Sequence, residues 1–81
     1  MQGETTEFNG IHYPSWHGSP FDRGGMDSHY HRAESPHYWP DGTMHGDKIV
    51  PPQMRPSEIK AYYAGYQYNE LSGGKKDYGR D

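Results

Sequence analysis

The sequence contains no cysteine, which excludes both a disulfide staple and a thiolate zinc site. Aliphatic side chains are almost as scarce: Ile11, Ile49, Val50, Ile59 and Leu71 are the whole set. A chain of 81 residues with so little branched hydrocarbon cannot build an aliphatic core, and a domain of this size is marginal unless something else holds it together. No apolar run approaches the roughly 18 residues that a membrane span needs, and no signal peptide is evident. The expectation is a soluble, cytoplasmic protein without a membrane partner. Excess positive charge is also missing. Eight Lys and Arg stand against eleven Asp and Glu, a formal charge of −3, which weighs against a surface built throughout to wrap nucleic acid.

What the chain does have is aromatic residues, 15% of its length, with 11 glycines and 7 prolines, so its stability must come from ring packing, close backbone approach or a partner. The organisation expected is a flexible N-terminus over 1–7, one small domain over 8–74 and a flexible charged tail over 75–81.

Two helices are predicted. The stretch 57–71 opens with Ser57 as a cap and Glu58 at the positive end of the helix dipole, and Gly73-Gly74 stops it. At about 100° per residue, Ile59, Tyr62, Tyr66 and Asn69 share one face, with Lys60, Ala64, Gln67 and Leu71 opposite. Ala61 and Gly65 form a small-x-x-x-small pair that lets another backbone come close. The second helix, 20–32, begins with the Ser19-Pro20-Phe21-Asp22 cap signal. Gly24 and Gly25 each disfavour a helix by roughly 1 kcal/mol relative to alanine, so a glycine-rich loop is the competing reading. With Phe21, Ser28 and Arg32 they also make a smooth stripe suited to packing against Ala61 and Gly65.

Around this pair run aromatic and proline-rich segments. From Phe8 to Trp16, Asn9-Gly10 and Pro14 break the chain into short extended pieces, whose Phe8, Ile11, Tyr13 and Trp16 can strap a helix. The 36–46 stretch is a loop with Pro40-Asp41-Gly42 as its turn, and 47–55 is a stiff connector whose Ile49 and Val50 are expected to plug the core. The fold class expected is small and mainly α: two short helices packed through small residues, with long aromatic and proline-rich loops.

Three constellations bear on chemistry. Asp27, His29, His31 and His37 invite a metal site, but a helix puts only Asp27 and His31 on one face. Ser19 and Ser28 have histidine and aspartate nearby, yet no nucleophile elbow, phosphate loop or paired-carboxylate motif accompanies them, so no enzyme activity, cofactor or metal is expected. The third set is Trp16, Arg23, Tyr30, Arg32, Tyr38 and Trp39, joined by Lys75-Lys76. Tryptophan, tyrosine and arginine anchor protein interfaces and stack on nucleobases. Asp22, Asp27 and Glu34 are interleaved with them, which allows internal ion pairs such as Arg23 with Asp27 at i,i+4.

Asp22-Arg23-Gly24-Gly25-Met26-Asp27-Ser28-x-Tyr30-x-Arg32, then Pro36-His37-Tyr38, then Glu58-Ile59-x-Ala61-Tyr62-x-Ala64-Gly65-Tyr66 resembles a family of small proteins encoded by tailed bacteriophages. The layout is also similar to ribosome modulation factor, with Tyr63-Ala64-Gly65-Tyr66 in the place of that family's aromatic-x-x-Gly-aromatic segment. The function expected is that of a non-enzymatic phage accessory protein that binds and modulates a host macromolecular complex, as an inhibitor in the host cytoplasm, with the aromatic and arginine set Trp16, Arg23, Tyr30, Arg32, Tyr38 and Trp39 as its binding residues. The second resemblance implies a binder of the small ribosomal subunit or RNA. That family is basic, whereas this chain is acidic and carries an extra aromatic N-terminal strap and a longer connector.

Overall fold

A computed structural model describes residues 4–74. Along the chain run strands β1 (Thr5–Phe8) and β2 (Ile11–Pro14), helix α1 (Pro20–His29), a single 3-10 turn (Pro51–Gln53) and helix α2 (Pro56–Ser72). The molecule is thus two packed helices with a two-stranded antiparallel hairpin, and not helical alone. None of the described helices is long and apolar enough to cross a membrane.

The close-packed helix pair forms as the small residues require. A β-carbon on Gly24 would collide with the Tyr62 carbonyl, and one on Gly65 would collide with the Phe21 carbonyl. Each glycine therefore admits the other helix's backbone, which offsets its poor helix propensity. The loop reading of Gly24-Gly25 is set aside. Across the seam, the fully buried Ser28 hydroxyl donates to Glu70 at 2.8 Å and accepts from Asn69 at 3.0 Å.

Helix α1 starts on the expected signal: the Ser19 hydroxyl accepts from the Asp22 amide at 3.2 Å, and the Asp22 carboxylate accepts from the Gly18 amide at 2.9 Å. It stops at His29, short of the expected Arg32. The His31 amide donates to Ser28 and the Arg32 amide to Asp27, and His31 holds φ 63°, the left-handed position usually given to glycine in this C-terminal closure. Helix α2 starts one residue earlier than expected, because Pro56 is the first helical residue and Glu58 accepts from the Arg55 amide at 2.8 Å, leaving Ser57 inside the first turn.

Strand β1 already begins at Thr5, ahead of the extended stretch expected from Phe8, because Asn9 and Gly10 take φ of 53° and 79° and fold the segment into a tight hairpin. The pairs run Thr5–Pro14, Thr6–Tyr13, Glu7–His12 and Phe8–Ile11. With the Ser15 amide donating to Glu4, alternation places Pro14 at a position whose N–H would face the open edge, so its missing donor breaks no rung. The hairpin carries the expected strap: Tyr13 stacks on Phe21 at 5.3 Å, and Phe8 meets Tyr68 edge-on at 5.7 Å. Tyr13, Phe21, Ala61 and Ala64 form one buried cluster with Phe8 against it. Ala64 was expected on the outer face of α2, but the hairpin covers that side. The helix is buried on two flanks, by α1 and by the strap. Ile49 is half-buried and Val50 exposed, so these aliphatics do not plug the core, whereas Met54 is buried. The tail 75–81, with Lys75 and Lys76, lies outside the described residues.

Candidate functional site

The centre of the molecule is polar. Tyr62 has no exposed surface; its hydroxyl donates to the Asp27 carboxylate and accepts from the Ser35 amide at 2.8 Å. The other Asp27 oxygen accepts from Arg32 at 3.2 Å. Burial, followed by the bond to Asp27, pushes the Tyr62 phenol far above the ordinary tyrosine value. His37 sits beside this pair, its Nδ1 2.7 Å from the Ser35 carbonyl and 3.9 Å from Asp27. The Arg23 Nε lies 3.4 Å from His37 Nε2. A guanidinium only donates, so Nε2 accepts, and the ring proton lies on Nδ1 pointing at Ser35. Burial lowers the His37 pKa more than the Ser35 carbonyl and Asp27 raise it, with Lys48 and Arg23 adding to the lowering. His37 is a neutral brace for Arg23. No buried side-chain nitrogen or oxygen among the described residues lacks a partner.

This network floors a pocket of about 300 Å³ lined by Arg23, Asp27, Arg32, Trp39, Thr43 and Lys48, among others. Arg23 is also 3.4 Å from the Thr43 hydroxyl and 4.0 Å from the Asp22 carboxylate. The expected Arg23–Asp27 pair is replaced by Arg32–Asp27, because the turn after α1 swings Arg32 back over Asp27.

A second concavity, about 450 Å³, lies between β2 and the first turns of α2. Its walls include Ile11, Tyr13, Trp16 and Tyr38, and its rim carries His12, Arg55, Glu58 and Lys60. Tyr38 reaches it because its backbone bridges Ile49 in both directions, at 3.1 and 2.9 Å. Along such an extended segment neighbouring side chains face opposite ways, which sends Tyr38 to the groove and Trp39 to the pocket. Burial and a hydrogen bond to Glu58 hold the Tyr38 phenol above its ordinary value. The Trp39 end is fixed by Gly18, whose φ of 97° and lack of a β-carbon let it sit against the Trp39 carbonyl, where a β-carbon would approach to 2.6 Å. The Trp39 carbonyl also accepts from Gly42 at 3.0 Å, closing the Pro40-Asp41 turn.

The residues singled out from sequence therefore divide. Trp16 and Tyr38 wall the groove; Arg23, Arg32 and Trp39 line the pocket. Tyr30 belongs to neither lining and instead caps α1, with the Arg32 guanidinium 5.0 Å above its ring. The histidines scatter: His29 meets the Gly74 carbonyl, His31 is exposed at the helix end, and only His37 stays with Asp27. Among the described residues, no three His, Asp or Glu side chains gather as a metal site would require. Sequence reading missed Lys48 and Thr43 in the pocket and Glu58 and Lys60 at the groove. No local pattern marks them, because the 36–50 loop and the hairpin bring them there from distant positions.

Compared with protein families, with curated proteins and with solved structures, the chain matches none.

Proposed function

We propose that this is a non-enzymatic binding protein that docks a protein partner in the groove walled by Trp16 and Tyr38. The observation that carries the reading is the groove itself, with aromatic and aliphatic walls and a rim of charged side chains. Such an arrangement supports a protein interface, in which Trp and Tyr anchors fill the centre and charges on the rim set orientation. The biological setting that fits is a phage accessory protein acting on a host complex in the cytoplasm, a proposal that rests on the resemblance of the Asp22–Arg32 and Glu58–Tyr66 segments.

A second reading, ribosome or RNA binding, has its support in Arg23, Arg32 and Lys48 lining one pocket with Trp39. Affinity capture from bacterial lysate, with and without nuclease and read by mass spectrometry, separates the two. The docking reading predicts one stoichiometric protein that survives nuclease, is lost with Trp16→Ala and is retained with Lys48→Glu. Ribosomal proteins released by nuclease would replace it with the second reading.

A further inference from the structure

The pocket beside Trp39 has a chemistry of its own. Arg23, Arg32 and Lys48 line it with Asp27 as the carboxylate among its residues, in a protein whose formal charge is −3. Concentration of cations against the overall sign of the molecule marks a place where an anion is favoured locally. Arg23 is also set in advance. Its side chain is only 12% exposed, and His37 and Thr43 hold its guanidinium from two directions, so little rotamer freedom remains to be lost on binding. Each arginine has five N–H donors, and the bonds to His37, Thr43 and Asp27 use two from Arg23 and one from Arg32. Asp27 orients Arg32 without closing the opening, since the Arg32 side chain remains 55% exposed.

We propose that this pocket binds a nucleoside monophosphate, with the phosphate against Arg23, Arg32 and Lys48 and the base on the Trp39 ring. Planar guanidinium forks match phosphate oxygens bidentately, and the indole supplies a sequence-tolerant stacking surface. The Thr43 hydroxyl adds a neutral donor or acceptor for the sugar or phosphate. A space of about 300 Å³ suits one nucleotide, whereas a strand would draw on a basic track extending beyond a single site. This site is separate from the Trp16–Tyr38 groove, so the fate of one proposal does not decide the other.

The test is isothermal titration calorimetry of the full chain with AMP, GMP, CMP and UMP, against adenosine, inorganic phosphate and a six-nucleotide single-stranded RNA. The expected result is saturable binding of at least one monophosphate, with affinity reduced about tenfold by Lys48→Glu and by Trp39→Ala. Adenosine and inorganic phosphate are expected to bind at least about tenfold more weakly, since each lacks half of the contacts. Lys48 is exposed, so that variant keeps its fold, and its thermal melt provides the control. Absence of saturable binding by all four monophosphates at millimolar concentration would overturn the proposal. Binding that Lys48→Glu leaves unchanged would also overturn it, as would inorganic phosphate binding as tightly as a nucleotide. RNA binding more than about tenfold tighter than any monophosphate would transfer the pocket to an RNA strand.

Discussion

The Cα of Gly65 lies against the backbone of Phe21, where a β-carbon would fall inside the carbonyl oxygen and 3.0 Å from the Phe21 Cα. Gly24 stands in the same relation to Tyr62. Because the obstacle in both cases is main chain and not a flexible side-chain tip, the helices must separate to admit even a methyl group.

Gly65→Ala is therefore expected to destabilise the protein by about 2 kcal/mol or more, read as a loss in urea or thermal unfolding. Gly25→Ala is the internal comparison. Its added carbon would sit 3.6 Å from the Gly65 carbonyl, an ordinary contact, so the helix-propensity gain remains and the variant should be up to about 1 kcal/mol more stable. Equal effects at the two glycines would contradict the packing described.

Tyr62→Phe keeps the ring but removes the hydroxyl that joins Asp27 to the Ser35 amide. Asp27 is 3% exposed, so water cannot readily replace the lost donor. The expected loss is about 2–4 kcal/mol by chemical denaturation. A double-mutant cycle with Asp27→Asn should show strong coupling, and additive effects would contradict a shared bond.

Acid should weaken the fold through His37. Burial lowers its folded pKa below the ordinary 6.5, so the unfolded chain takes the proton more readily. Its contribution is full above 6.5 and is lost as pH falls below that value through the folded pKa. The slope from this one site cannot exceed about 1.4 kcal/mol per pH unit. Melting measured from pH 8 to 5 should fall less steeply in His37→Gln than in the parent; identical profiles would contradict the assignment.

At the start of α2, Glu58→Ala should lower stability by about 1 kcal/mol, because the Glu58 carboxylate holds the Arg55 amide. Ser57→Ala should be nearly neutral, since Ser57 stands within the first turn and not at the cap. Thermal melts of the two variants give the comparison, and the reverse order would restore Ser57 as the cap.

That exchange of caps shows how the sequence could be read and where it misled. Small residues at Gly24, Ala61 and Gly65 announced a close helix pair because glycine inside a helix needs a packing reason. Asn9-Gly10 also had a local meaning, a hairpin turn, but it resembled an interruption until the pairing of Thr6 with Tyr13 supplied a partner strand. The end of α1 was obscured because His31 occupies the left-handed position that glycine usually marks. Ala64 illustrates the broader limit. A helical wheel assumes one buried face, whereas α2 is covered by α1 on one flank and by Tyr13 and its neighbours on another. Of the candidate site, only residue types were legible: Trp16, Arg23, Arg32, Tyr38 and Trp39 line one concavity or the other, and Tyr30, read with them, lines neither. Its division into a groove and a pocket depends on the Tyr38–Ile49 bridge and the Gly18–Trp39 contact, which only the folded chain creates.

The most direct test of partner docking in the groove is site-specific photocrosslinking. A photoreactive phenylalanine replaces Trp16 in one variant and Tyr63 in another; Tyr63 is 43% exposed and does not line the groove. Irradiation in bacterial lysate should give one discrete adduct from position 16, diminished by Lys60→Glu at the groove rim, and none of that mass from position 63. No discrete adduct at position 16, or the same adduct from both positions, would contradict the docking account.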